Sequence, residues 1–330
     1  MSYRSIKGFT GIGQFGILMA FTGLGIVIAS VVQYMIGKQL IPAGLPMDKA
    51  IEAINKALML PENVAYARLS QVLGTFFIMF IPVILYLVIC HGRNGFWVGF
   101  SKYINAKQVL IGFLLIFAAN VIAGPLAELS KNLVSYFPSL DTMAKRMEDG
   151  YREQVNALSN LKSWSEFAMA IVIMAFFPAL FEELFFRGAL QTLLERWWKA
   201  PLLALIITSL FFSFIHMSIY LFLSRFVLGL VLGLMYQRSK NIWVNIMAHF
   251  LNNTVAVLQL FWLSRQGKTI EADKLDPKIP LTVAVLALIV LIGFLYLFEK
   301  VSEKNRMLIA FEEQNLLEKN DPVHSIAYKK

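Results

Sequence analysis

Charged residues fall along this chain in a few clusters separated by long apolar runs. The runs free of Asp, Glu, Lys and Arg are 8–37, 69–92, 108–127, 167–181, 200–224, 226–237, 241–264 and 279–298. A helix needs about 20 apolar residues to cross the hydrocarbon of a bilayer, and six of the runs meet that length. Two fall short. The run 167–181 reaches spanning length only by continuing through Glu182, Glu183 and Arg187. The run 226–237 must begin before Arg225, near Ile219. The pattern therefore predicts an all-α, polytopic membrane bundle of about eight transmembrane helices, since lipid leaves no backbone group unpaired without cost. Gly229 and Gly233 make a small-xxx-small pair that lets the sixth span pack closely on a neighbour. Pro178 is expected to kink the fourth span just before its carboxylates. Met143, Met147, Tyr151 and Val155 recur at helical spacing, which predicts an amphipathic helix over 139–163.

Composition agrees. Hydrophobic residues are 58 % of the 330 and charged residues 15 %, against about 45–50 % and about 25 % in soluble domains. DNA binding, secretion and cytosolic metabolism drop out. A single cysteine, Cys90, excludes an intramolecular disulfide framework and a multi-cysteine metal site. The apolar run after MSYRSIK is far longer than a signal-peptide core and reads as a retained span.

The formal charge of +9 is mostly a topology signal. Arg93, Lys102 and Lys107, then Arg196 and Lys199, then Arg238 and Lys240 lie in three loops on one side. By the positive-inside rule that side is cytoplasmic, with both termini. The segments 38–70, 129–165 and 265–279 then lie outside, and the tail from Glu299 extends the last helix into water. The expected location is a bacterial inner membrane. Three regions follow: helices and outer loops over 1–165, a catalytic core over 166–264, and the last span and tail over 265–330.

Ionisable residues inside a span are costly and mark function by default. The candidates are Glu182, Glu183, Arg187, His216, Arg225 and His249. His91 and His324 lie outside the spans and read as surface residues. Glu183 and Arg187 are four apart and can pair, and Glu182 lies about 100° round the helix. Residue 199, in the turn after this span, is midway between Glu182 and His216, which places the two at similar depth, about 25 Å in. Ser209, Ser213, His216 and Tyr220 form a polar stripe on the next helix. Asn245, His249 and Asn253 share one face of another, but the tight 238–241 turn puts His249 only about 12 Å deep. Strong helix tilt or a longer connection after the fourth span would close that gap.

This set suits hydrolysis by water. A glutamate takes the proton, one histidine positions the water, and a second histidine with an asparagine amide donates to an oxyanion. Glu182, His216 and His249 are also sound Zn²⁺ ligands, but no HExxH helix is present and the histidines sit on separate spans. A metal-free reaction is favoured, with zinc as the alternative cofactor. A proton- or ion-coupled transporter would use similar charges, yet no inverted repeat or matched pair of broken helices is visible. A non-catalytic scaffold or immunity protein is the other alternative.

EELFFR (182–187), FSFIH (212–216) and HFLNN (249–253) match EExxxR, FxxxH and HxxxN in order. In this the chain resembles the CPBP intramembrane proteases, the CAAX prenyl protease and bacteriocin-processing or Abi family, which includes the type II CAAX endopeptidases. The resemblance covers residues 182–253. It implies Glu182 as general base acting with His216 on water, and His249 with Asn253 as oxyanion hole. Glu183 and Arg187 would support the site and Phe212 would shape it. The implied partners are membrane lipid and a peptide or lipidated-protein substrate, with no nucleic acid. A Lys/Arg-topped, cytoplasm-facing cavity could accept a prenylated C-terminus, a leader peptide or a membrane anchor.

Overall fold

The computed structural model describes residues 3–158, 161, 163–266 and 279–320. His324 and most of the 265–279 segment lie outside the described residues. The long elements are α1 (Gly11–Gly37), α2 (Met47–Leu58), α3 (Pro61–His91), α4 (Ala106–Ser135), α5 (Pro138–Leu158), α6 (Trp164–Trp198), α7 (Pro201–Phe214), α8 (Phe222–Ser239), α9 (Ile242–Arg265) and α10 (Leu281–Asn320). No strand occurs among the described residues. Six helices, α1, α3, α4, α6, α9 and α10, are long and apolar enough to cross a membrane. The protein is a multi-pass helical membrane protein. One buried cluster runs through it, from Leu18 and Val83 past Leu115, Phe186 and Leu232 to Phe298.

Prolines shape two of the crossing helices through wide turns. Proline lacks an N–H and collides with the carbonyl four residues before it. In α3 a π-helical stretch, Phe76–Phe80, precedes Pro82, and in α6 another, Ile171–Phe176, precedes Pro178. The widened turn moves the offending carbonyl aside, so α6 runs on through Pro178 instead of ending there. A third π stretch, Leu184–Gln191, follows the paired glutamates and carries Arg187.

The fifth and sixth predicted spans come out differently. The fifth ends at Phe214, not Ser224, and α8 starts at Phe222. Between them the chain turns at Met217, whose φ of 52° lies in the left-handed region. Only Ser209 and Ser213 of the expected polar stripe stay on α7, and their hydroxyls bond backbone carbonyls of Leu205 and Phe222. α7 and α8 pack as a hairpin. The glycines of α8 allow this: a Cβ at Gly229 would press on Ser209, and one at Gly233 would sit 2.3 Å from a Leu205 methyl. Their bare carbonyls also accept from α6, from Arg187 Nη2 at 3.3 Å and Gln191 Nε2 at 3.1 Å. Two residues four apart on α6 thus meet two residues four apart on α8.

Two other expectations need correction. His91 is not a surface residue: it is 6 % exposed, stacked on Trp97 and hydrogen-bonded to the Tyr86 hydroxyl. The expected helix forms as α5, with Ala144 and Leu158 buried and Val155 packed on a core cluster, but Met143 is 55 % exposed. The face of α5 turned inward is the one bearing Asp141 and Glu148.

The depth conflict between His216 and His249 also resolves. Both connections are tight, so extra loop length is not the answer. The α8–α9 turn is sunk into the protein. Ser239, Asn241 and Ile242 are fully buried beneath the 95–103 loop. Ile242 N–H donates to Gly99 O at 2.8 Å, and the Asn241 amide donates to the carbonyls of Ser101 and Tyr103. Lys240 reaches Glu195 of α6 at 2.8 Å, one turn short of the end of that helix. From Glu195 back to Glu183 is about 18 Å of helix, and from Lys240 to His249 about 14 Å. The two meet.

Candidate active site

Glu183 is fully buried at the centre of α6. Its Oε1 accepts from Arg187 Nη1 at 2.9 Å and from His249 Nδ1 at 3.0 Å, and its Oε2 accepts from Asn245 Nδ2 at 3.0 Å. The helical repeat places these donors. Arg187 is one turn along α6 from Glu183, and Asn245 and His249 are one turn apart on α9. Arg187 spends its second arm on Gly229 O and lays its guanidinium 4.6 Å from the Phe212 ring centre. Asn245 donates also to Leu232 O at 2.7 Å. Two buried charges with this many partners are mutually dependent, because removing one strands the other.

The same contacts fix the histidine tautomers. A carboxylate can only accept, so His249 carries its hydrogen on Nδ1 and leaves Nε2 free. His216 Nδ1 lies 2.6 Å from Phe212 O. A carbonyl likewise only accepts, so His216 also leaves Nε2 free. The Phe212 ring packs against the His216 imidazole at 4.8 Å on one side and faces Arg187 on the other. This sandwich is how Phe212, the first residue of FxxxH, orients the last.

Glu182 takes no part in these hydrogen bonds. It is half-buried, and it lies close enough to His216 and Arg187 for their charges to interact. It makes no hydrogen bond to any described residue. Asn253, one turn beyond His249 on α9, is half-buried and its amide is likewise free of described partners. The structure thus brings Glu182, His216 and His249 into one neighbourhood, with Asn253 on the His249 face of α9. Glu183, Arg187 and the Asn245 amide nitrogen form a hydrogen-bonded support behind them, and Asn245 Oδ1 is buried without a partner among the described residues.

The zinc set does not fit this geometry. Among the described residues no three His, Cys, Asp or Glu side chains converge closely enough to hold a metal ion. Glu183, the one carboxylate in contact with a histidine, is filled by three donors.

Arg225 is the ionisable span residue that the motifs leave unassigned. Its Nη1 donates to His216 O at 3.0 Å. Gln191 was missed. Its signal was present in the sequence, four residues after Arg187 and matched by Gly233 four after Gly229. A cavity of about 380 Å³ does exist at the end bearing the basic turns, walled in part by Glu195, Arg196, Lys240 and Arg306. None of Glu182, His216, His249 or Asn253 lines it. The histidine turn lies at the other end of α7, under α5, so the expected Lys/Arg-topped cavity is a separate feature.

Comparison with known proteins bears on this segment. Residues 164–255 match the family model described as type II CAAX prenyl endopeptidase Rce1-like. A similar curated protein is the uncharacterized protein YpbD of Bacillus subtilis (strain 168), 32 % identical over 90 residues. The match covers 27 % of this chain and 45 % of the relative, so the chain spans under half of that relative's length. No solved structure matches. The matched segment runs from the start of α6 to two residues past Asn253, and residues 164–255 are a domain of the Rce1-like type II CAAX prenyl endopeptidase family.

Proposed function

We propose that the protein is an intramembrane endopeptidase that cleaves a membrane-associated or lipidated peptide with an activated water. The observation that carries the reading is the contrast between neighbours. Glu183 accepts three hydrogen bonds, while neighbouring Glu182, His216 Nε2 and His249 Nε2, and the Asn253 amide one turn beyond His249 on α9, bond no described residue. Free acceptors and donors held in an apolar bundle are costly unless a ligand uses them.

Glu182 and His216 Nε2 are both acceptors here, suited to hold one water between them. Glu182 takes its proton as the oxygen attacks the scissile carbonyl, and the same proton passes to the leaving amine. Asn253 donates to the developing oxyanion directly. His249 has its Nδ1 hydrogen on Glu183, so it must be doubly protonated to donate from Nε2. Its Nδ1 is held by the same Glu183 oxygen that Arg187 pairs. Family membership supports a peptide substrate, and the apolar surroundings support one delivered through lipid.

The test is cleavage by the purified protein in lipid nanodiscs, against a library of prenylated and leader peptides. Glu182→Gln should lower kcat by about 10²–10⁴-fold without changing thermal stability. Wild-type rates from Glu182→Gln would overturn the assignment. Loss of activity under exhaustive chelation, restored by zinc, would replace it with a metal reaction.

A further inference from the structure

We propose that α5 is a docked cover for the active site and that Arg225 is the positioning residue through which it sets His216. The inference rests on the endopeptidase reading for its chemistry, but its geometry stands apart from it.

The turn that carries His216 is not part of a helix. It spans 215–221, between α7 and α8, and includes a non-glycine residue at positive φ. Such a conformation costs about 1 kcal/mol or more and persists only when neighbours hold it. The neighbours are on α5. Asp141, Ala144, Glu148 and Tyr151 recur at three- and four-residue steps, so they share one helix face. Each meets the turn or the start of α8. The Tyr220 hydroxyl donates to Asp141. Ala144 is buried in a cluster with Tyr220 and Val134. The Ser218 hydroxyl donates to Glu148 Oε2 at 3.1 Å. The Arg225 guanidinium lies 4.9 Å from the Tyr151 ring centre.

Arg225 joins this face to the chemistry. It has no acidic partner among the described residues, which is unusual for a cation within the bundle. Its contacts are the Tyr151 ring on one side and the His216 carbonyl on the other. The backbone bearing the imidazole is therefore clamped from two directions, by Arg225 at its carbonyl and by the Phe212 carbonyl at its ring. When α5 lifts, Arg225 loses the aromatic surface that orients it, and the turn loses three side-chain ties. Since misplacing a catalytic group by about 1 Å costs about 10²-fold, undocking α5 switches the site off. α5 also stands over the turn as a cover, so docking completes the site after a substrate has entered.

The experiment uses the full-length protein in nanodiscs, with Arg225→Gln, Arg225→Lys, Tyr151→Leu and the double variant Arg225→Gln/Tyr151→Leu. Two quantities are read: steady-state cleavage and amide hydrogen exchange of residues 214–221. Arg225→Gln should lower kcat by about 10-fold or more with KM within about twofold. Arg225→Lys, which can still donate to the carbonyl, should recover most of the loss. Tyr151→Leu should give the same split at smaller size, and the double variant should be no worse than Arg225→Gln alone, as expected for one coupled unit. Exchange at the turn should rise in every variant except Arg225→Lys. Unchanged exchange in Tyr151→Leu, or additive losses in the double variant, overturns the coupling. If exchange responds as expected while even the wild type cleaves nothing, the coupling stands and the endopeptidase reading falls.

Discussion

Two glutamates on α6, three turns apart, are held in nearly the same way and do different things. Glu183 accepts from Arg187 one turn along its own helix and from Asn245 and His249 on α9. Glu195 accepts from Gln191 one turn back, from Gln237 at 2.7 Å and from Lys240 at 2.8 Å. Both tie α6 to the helices packed on it. Only Glu183 has a histidine in contact with it and an unbonded carboxylate adjoining it. Around Glu183 a histidine has a second nitrogen to offer and the adjoining Glu182 is unbonded. Around Glu195 the donors are amides and an ammonium, and Lys240 is 40 % exposed at its side chain. A cluster of charges inside a bundle is thus no sign of catalysis by itself. The sign is a carboxylate and imidazole nitrogens with unspent hydrogen-bonding capacity beside a carboxylate filled by three donors.

The comparison can be broken from either side. The largest effect should come from Glu183→Ala, which leaves Arg187 and His249 without their shared carboxylate. Unfolding in detergent should reveal a loss of about 3–5 kcal/mol, and cleavage should vanish with it. A variant of full stability would mean that the cluster does not support the fold. Asn253→Ala should come next, cutting kcat by about 10²–10³-fold, as for loss of one oxyanion donor, with the melting temperature unchanged. If instead KM rises and kcat holds, Asn253 binds substrate and does not stabilise the transition state. The smallest effect belongs to Glu195→Gln. Its ion pair is partly solvated and such pairs are worth about 0–1 kcal/mol. Stability should fall by no more than that, with kcat within about twofold of wild type. A large loss of activity there would erase the distinction between the two glutamates.

Much of this was legible in the residues. In a chain with so few charges, EELFFR interrupting an apolar run is conspicuous, and i,i+4 spacing alone pairs Glu183 with Arg187. The different surroundings of Glu182 and Glu183 follow from their separation of about 100° round the helix. The end of α7 was not legible. The stretch FSFIHMSIYLF has no charge, glycine or proline, so nothing in it announces a turn, and the turn is made by a methionine at positive φ. Side-chain ties from α5, distant in sequence, hold it there. The inward face of α5 was misread for a related reason. Hydrophobicity selects Met143, but the contacts that dock this helix are mostly polar. The depth of His249 was underestimated because a short basic turn reads as a surface turn, and this one is buried.

That buried turn has a consequence of its own. The first residue of α9 is pinned by Gly99 O at its N–H, and the preceding Asn241 is pinned by two carbonyls of the same loop. From that fixed origin, each residue up to His249 adds about 1.5 Å of height and about 100° of rotation. The loop 95–103 is therefore a zero mark, and the seven positions between Asn241 and His249 are a scale read from it. One residue inserted or deleted there would leave the helix intact and swing the imidazole off Glu183 altogether.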